Sequence, residues 1–325
     1  MLEKSWTKTR WRYFRFSRKI SNRCPNGGYC AIYLSRIRIH GHKLIIYLLP
    51  IYMKKLLLIL LFLFSFCLVS QTLKETIDVA DSLYQIGNYK AAINTYAKDN
   101  TEKAQLQIAR AYHALGNFQK AIVQYQNIIK NQPEYSLAKF ELGKLLDKTK
   151  KYEEAVVLFE ELTNLNQDNA EFYYYLGKSL QSNLAYESGN KALQKAISLD
   201  STHLKSIYLL GKYFVEVEEP SNALKVLDKG LRTAPDDVAL LNLKALAHFN
   251  NGDFTEAAPL FARLVSLGER KPFIYKKLGY SHYSNWELDA AKSAYRALEQ
   301  ITNHEADAYY GLAEVFLKEK QLDSA

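Results

Sequence analysis

Small residues recur every 34 positions over most of this chain, and this regularity limits the possible fold more than any other feature. The first column of small residues is Ala109, Gly143, Gly177, Gly211, Ala245 and Gly279. Twelve residues after each member stands a second column: Ala121, Ala155, Gly189, Ala223, Ala257 and Ala291. A bulky residue follows four positions later in every unit. A fixed period of this length predicts structural units that stack side by side and bury one continuous core.

Each unit has the periodicity of helices. Leucines such as Leu142 and Leu176 directly precede the small column, and apolar residues such as Leu146 follow one turn later, which is a helical and not a strand spacing. Two helices approach closely only where the crossing residues are small, so we expect the Gly or Ala of the first helix to face the Ala of the second. Enlarging a column residue, as in Ala257→Leu, is then expected to cost about 1 to 3 kcal/mol through overpacking.

Turn residues separate the two helices of several units. The pairs Gly87-Asn88, Gly116-Asn117 and Gly252-Asp253 tolerate left-handed backbone and mark tight turns. Pro133 and Pro235 fall between units, where a missing backbone N–H matters least. The pattern therefore predicts helix–turn–helix units from about residue 73 onward.

This pattern resembles the tetratricopeptide repeat (TPR), in which two antiparallel helices form a 34-residue unit. The resemblance implies an all-α fold, a right-handed α-solenoid of about eight helix pairs with the last pair truncated. The expected repeats span residues 73–101, 102–135, 136–169, 170–203, 204–237, 238–271, 272–305 and, in part, 306–325.

Some positions depart from the 34-residue pattern. The first interval of the small column, from Ala80 to Ala109, is only 29 residues, which predicts a shortened second helix in repeat 1. Pro259 is expected within about the first turn of a second helix. The sequence stops at Ala325, where the second helix of repeat 8 would begin, so we expect the full product to continue further.

The charge of +9 is unevenly distributed. Residues 1–55 hold thirteen Lys or Arg and one acidic residue, a net of +12, whereas residues 56–325 hold 30 basic and 33 acidic residues, a net of −3. The mildly acidic body argues against nucleic acid as a partner.

The stretch MKKLLLILLFLFSFCLVSQT, from Met53, has the features of a secretory signal peptide. Two lysines precede an apolar region of 14 residues, shorter than the roughly 20 residues of a membrane span. We expect a signal peptide at 53–70 and interpret the basic leader 1–52 as lying upstream of the true start. The protein would then be exported through the Sec route to the periplasm or outside the cell. An uncleaved inner-membrane anchor with the repeats outside is the alternative, and membrane contact is expected only through this segment.

The resemblance also indicates a ligand groove, because first-helix positions three before and one after the small column line the concave wall of TPR solenoids. The position after the column is basic in repeats 2 to 5: Arg110, Lys144, Lys178 and Lys212. The position three before it is apolar or aromatic: Leu106, Phe140, Tyr174 and Tyr208. These residues predict a groove for a protein or peptide that is acidic or ends in a carboxylate. An ordinary solvated helix face remains the alternative.

Nothing in the sequence indicates a catalytic, metal or cofactor site. The histidines of the repeats are isolated, the Cys24–Cys30 stretch lacks a second ligand pair, and no phosphate-binding or nucleophile motif appears. The leading interpretation is a non-enzymatic interaction scaffold. A TPR arm of a larger envelope enzyme or sensor, and a glycan-binding envelope component that uses the many tyrosines, remain alternatives.

Overall fold

The structure is a computed structural model that describes residues 76–323, with side chains as far as Lys320. The predicted leader (1–52), the signal peptide (53–70) and the start of repeat 1 lie outside the described residues, as does Ala325. Every regular element within 76–323 is a helix. The predicted all-α solenoid is therefore confirmed for this part of the chain.

Fifteen helices follow one another in this span, the first of them over residues 76–85 (α1). The others are α2 Tyr89–Tyr96, α3 Glu102–Ala114, α4 Phe118–Asn131, α5 Ser136–Lys148, α6 Tyr152–Leu165, α7 Ala170–Ser182, α8 Tyr186–Leu199, α9 Leu204–Glu216, α10 Pro220–Thr233, α11 Val238–Asn250, α12 Phe254–Ser266, α13 Pro272–Ser284, α14 Leu288–Glu299 and α15 Glu305–Asp323. Odd-numbered helices are the first helices of the repeats and carry the first small column. Even-numbered helices carry the second small column and the bulky residues.

The glycines of the first column also pack against the bulky residue sixteen positions later, a partner that the sequence pattern did not indicate. A Cβ atom added to Gly143 would lie 2.8 Å from the Phe159 ring, and one added to Gly211 would lie 2.6 Å from the Leu227 side chain. The bulky residues are almost completely buried: Tyr96, Tyr125, Phe159, Leu193, Leu227, Phe261 and Tyr295. Each glycine of the first column thus makes room for one large side chain of its own repeat.

In repeat 4 the small residues of the two columns face each other directly. A Cβ atom on Gly177 would lie 2.8 Å from the carbonyl oxygen of Gly189, and one on Gly189 would lie 2.9 Å from the carbonyl oxygen of Gly177. Helices α7 and α8 therefore approach too closely for alanine, which explains why this repeat has Gly189 where its neighbours have Ala.

The turn between the two helices has the same backbone form in all seven described pairs. The residue seven positions after the small column has a positive φ, between 58° and 80°: Gly87, Gly116, Lys150, Leu184, Glu218, Gly252 and Trp286. Its N–H and the next N–H donate to carbonyl oxygens of the first helix, as in Leu184 to Gln181 and Ala185 to Leu180. This is a Schellman cap. Glycine occupies this position in only three of the turns.

Three expected departures from the pattern have different outcomes. The second helix of repeat 1, α2, has only eight residues, so the predicted shortening is confirmed. Pro259 is the sixth residue of α12 and not part of its first turn, so that prediction was wrong. Helix α15 continues to Asp323 without the turn expected ahead of Ala325.

Candidate functional site

The predicted groove residues lie on four successive first helices. Arg110 is on α3, Phe140 and Lys144 are on α5, Tyr174 and Lys178 are on α7, and Tyr208 and Lys212 are on α9. Their environments differ, because two of the four cations are neutralised by carboxylates from the neighbouring repeat.

Arg110 forms an ion pair with Glu141 of α5. Its Nε lies 3.0 Å from both carboxylate oxygens, and the Tyr125 hydroxyl donates to the same carboxylate at 2.8 Å. The hydrogen bond to Glu141 raises the pKa of Arg110, although burial opposes this effect. Arg110 therefore links repeat 2 to repeat 3 and contributes little free positive charge.

Lys178 forms a similar link in the opposite direction along the chain. Its Nζ lies 2.6 Å from Asp147, and the Ser179 hydroxyl donates to the other oxygen of that carboxylate at 3.1 Å. The Asp147 side chain is only 7% exposed. Because a nearly buried carboxylate needs a cation nearby, the first role of Lys178 is to satisfy Asp147.

Lys144 is placed over aromatic rings instead. Its Nζ lies 5.1 Å from the centre of the Phe140 ring and 5.7 Å from that of Tyr175. One turn later, Lys148 lies 4.8 Å from the centre of the Phe118 ring and donates to His113 Nε2 at 3.5 Å. Both lysines are exposed. Neither has a carboxylate within ion-pair distance among the residues with described side chains.

These side chains surround a pocket of about 540 Å³, here called the cationic pocket. It is lined by Tyr84, Arg110, His113, Ala114, Tyr125, Glu141, Lys144 and Lys148. Burial and the adjacent Lys148 lower the pKa of His113, so this imidazole is neutral at pH 7. The charge of the pocket lining is therefore +2, carried in effect by Lys144 and Lys148.

The remaining predicted residues lie outside the cationic pocket. Phe140 is half-buried beside it, in edge contact with Tyr175. Tyr174 packs against His203, and burial raises its pKa to about 12. Tyr208 is exposed, and Lys212 forms an exposed ion pair with Glu216 at 3.4 Å. Leu106 is buried in the core, so the expectation that it contributes groove surface was wrong.

The sequence interpretation missed Lys148 and the two neutralising carboxylates. A spacing signal was present, because opposite charges 31 residues apart meet across neighbouring first helices: Arg110 with Glu141, Asp147 with Lys178, and Lys276 with Asp307. Lys148 follows Lys144 by four residues and so shares its helix face. Within residues 76–323, no helix is long and apolar enough to cross a membrane, and no group of three His, Cys, Asp or Glu side chains comes together as metal ligands.

Family models match three stretches of the chain. Two models described as tetratricopeptide repeat match residues 208–273 and 112–178, and the model of anaphase-promoting complex, cyclosome, subunit 3 matches residues 148–230. The matches agree with the helix pairs and their small columns. The chain belongs to the tetratricopeptide repeat family.

Solved TPR structures share this fold. The match to the C-terminal part of a TPR protein from Cytophaga hutchinsonii spans 73% of this chain and 99% of that structure, with 18% identity and a TM-score of 0.63. The match to a TPR protein from Parabacteroides merdae spans 75% of this chain and 98% of that structure, with 13% identity and a TM-score of 0.53.

A third solved structure is YrrB, described as a TPR protein with an unusual peptide-binding site. It covers 57% of this chain and 96% of its own length, with 18% identity and a TM-score of 0.50. At these identities the likeness establishes the fold alone. No curated protein matches the sequence.

Proposed function

We propose that this TPR protein is a non-catalytic scaffold that binds an acidic protein segment along its first helices, with the cationic pocket as the main anchor. The observation that carries the proposal is the pair Lys144 and Lys148, two exposed cations positioned by aromatic rings and lacking carboxylate partners among the residues with described side chains. A carboxylate of the ligand would supply the missing counter-charge. A peptide ligand is also consistent with the peptide-binding site described for YrrB.

The aromatic residues around these lysines add to the proposed site. Phe140 and Tyr175 lie next to the pocket, and Tyr84 and Tyr125 line it. An extended segment with alternating acidic and apolar side chains would contact the lysines and the rings together. Lys178 and Lys212 would contribute less, because their own carboxylate partners already reduce their charge.

Binding of a labelled acidic peptide tests this proposal. The probe is a short peptide of alternating Glu and Phe, compared by fluorescence anisotropy with the same peptide carrying Gln. The double variant Lys144→Glu, Lys148→Glu is expected to weaken binding of the acidic peptide by roughly tenfold or more, because each lost charged contact is worth about 1.5 to 3 kcal/mol. The Gln peptide should bind weakly to both proteins.

The matched control reverses two exposed lysines on second helices, Lys130→Glu and Lys229→Glu, which changes the net charge equally. This control should bind the acidic peptide almost as well as the unaltered protein. Equal losses in both double variants would contradict a local site and indicate only a general charge effect.

We also propose that the repeats function outside the cytoplasm, delivered by the segment 53–70. The support is the sequence alone: two lysines, an apolar region of 14 residues and Ser70 at the expected cleavage point. N-terminal sequencing of the mature protein tests this. A start at about residue 71 is expected, and an intact Met1 would contradict cleavage.

A further inference from the structure

A second cavity, of about 360 Å³, lies on the first helices of repeats 6 to 8, away from the cationic pocket. Its aromatic walls are Phe249, Phe273, Tyr280, Tyr295 and Tyr310. Phe273, Tyr280 and Tyr310 are exposed large aromatic side chains. A contiguous group of exposed apolar side chains is typical of a binding site. The volume is that of a small-molecule site or of one or two amino-acid residues.

Gly311 provides space for the Tyr295 ring, which is one wall of this cavity. A Cβ atom on Gly311 would lie 2.4 Å from the Tyr295 ring, so the ring itself fills the place of a side chain. The corresponding positions in the two preceding repeats carry Lys277 and Leu243. Glycine at this position therefore allows the Tyr295 ring to pack against α15 beside the cavity.

Four charged side chains line this cavity: Lys276, Lys277, Asp307 and Glu314. Glu314 accepts a hydrogen bond from the Tyr310 hydroxyl, and Lys277 is the cation to which we assign the preference of the cavity. It is half-buried, and its Nζ lies 3.7 Å from the centre of the Phe249 ring. Its neighbour Lys276 is paired with Asp307 at 2.7 Å, whereas Lys277 has no carboxylate within ion-pair distance among the residues with described side chains. Burial, aided by Lys276, lowers the pKa of Lys277. A half-buried cation without a counter-ion is destabilised, and a bound anion would relieve that cost.

We infer that this aromatic cavity binds a carboxylate that is attached to an aromatic group, with Lys277 holding the carboxylate and the rings holding the apolar part. The two parts must be close together, because the rings and Lys277 line one small cavity. A free aromatic acid has this chemistry, and so does the last residue of a peptide that ends in Phe. A neutral sugar would stack on the rings but leave Lys277 without a counter-charge.

The test uses isothermal titration of the full chain with N-acetyl-phenylalanine and with its neutral amide, N-acetyl-phenylalaninamide. The acid is expected to bind about tenfold or more tightly than the amide. In Lys277→Met this preference should disappear, while Lys229→Met, an exposed lysine on α10, should retain it. Thermal unfolding checks that Lys277→Met folds, and removal of a half-buried charge should leave its midpoint unchanged or raised.

A second variant keeps the inference testable if Lys277→Met is unstable. Tyr310→Ala removes a wall residue that is 68% exposed, so it should weaken binding of the acid without affecting the core. A short peptide ending in Phe, with a free or an amidated C-terminus, distinguishes the two sources of the ligand. Tighter binding of the acid-ended peptide than of N-acetyl-phenylalanine would identify a peptide terminus as the ligand.

Three outcomes would overturn the inference. These are equal affinity for acid and amide, an acid preference that survives in Lys277→Met, and binding of a neutral oligosaccharide without binding of either acid. The inference is independent of the proposed function, because Lys144→Glu, Lys148→Glu should leave binding of N-acetyl-phenylalanine unchanged. Failure at one site can therefore be distinguished from failure at the other.

Discussion

Four residues with side chains occupy left-handed backbone at the turns between the two helices of one repeat: Lys150, Leu184, Glu218 and Trp286. Left-handed backbone costs a non-glycine residue about 1 to 2 kcal/mol, because Cβ approaches the following carbonyl oxygen. Stacking of the repeats imposes the turn whatever residue is present. The sequence predicted the turns at Gly87, Gly116 and Gly252, where glycine signals the conformation. At the other four, the repeat phase indicates a turn but the residue itself does not indicate left-handed backbone, because tertiary packing determines the conformation there.

Replacing one of these four residues by glycine should stabilise the protein. We expect Leu184→Gly, at a side chain that is 73% exposed, to raise the free energy of unfolding by about 0.5 to 1 kcal/mol, since the relief of strain exceeds the entropic cost of glycine. Urea unfolding followed by circular dichroism measures the change. The adjacent Asn183→Gly, where φ is −90°, should instead destabilise the protein. A loss of stability in Leu184→Gly would contradict the assigned strain.

Pairs of helices are held together by the small columns and by charges shared between repeats. The period of 34 predicted which residues are small and buried, but it did not predict their partners, since the bulky residue and the second small column both follow at fixed distances. Similarly, Arg110 and Lys178 were predicted as free groove cations. Their pairing with Glu141 and Asp147 depends on the offset between neighbouring first helices, which a single sequence does not display.

The contact between Gly177 and Gly189 should not tolerate a methyl group. We expect Gly177→Ala to lower the free energy of unfolding by about 1 to 3 kcal/mol, because the added Cβ meets a backbone carbonyl that has no room to move away. Ser182→Ala, an exposed change on the same helix, should stay within about 0.5 kcal/mol. Denaturant unfolding of the two variants provides the comparison. Equal stabilities would show that α7 and α8 separate easily.

The carboxylate of Glu171 on α7 links repeat 4 to the start of α9. It accepts hydrogen bonds from His203 Nε2 at 2.8 Å and from Lys205 Nζ at 3.0 Å. Burial by itself raises its pKa, but these hydrogen bonds hold the pKa of Glu171 below its usual value. The link therefore stabilises the fold at neutral pH and is lost as the pH falls through the lowered pKa of the folded state.

Glu171→Gln tests this link through its pH dependence. The variant should unfold at a lower temperature than the unaltered protein at neutral pH, and the difference should shrink at an acidic pH below the lowered pKa of Glu171, where the carboxylate of the unaltered protein is protonated as well. Thermal unfolding at the two pH values measures both. A difference that is independent of pH would assign the effect to packing instead of charge.

Across the whole described chain, the size of the buried core varies from repeat to repeat. A cluster of five buried residues joins repeats 1 and 2, whereas fifteen buried residues form the cluster that begins in repeat 2. The sequence predicted the overall fold well because every repeat carries the same pattern. Of the candidate site it predicted only Arg110 and Lys144. A binding site depends on surface residues, and these differ from one repeat to the next.

This variation predicts where the solenoid opens first. Stacked repeats open in parts, and the part with the smallest core opens at the lowest free energy. We expect the amides of α2 to exchange with solvent faster than those of α4, its counterpart in repeat 2. Native-state hydrogen exchange with mass spectrometry compares the two helices. Slower exchange in α2 would contradict the assigned core sizes.

The proposed function requires an acidic segment to bind at the cationic pocket on the first helices. Photo-crosslinking tests it most directly, with a benzophenone amino acid placed at Ala114, an exposed residue that lines the pocket, or at Gln126, an exposed residue of the second helix α4. The labelled acidic peptide should crosslink at position 114 and not at position 126, and an excess of unlabelled peptide should abolish the product. Crosslinking at position 126 but not at position 114 would contradict the claim.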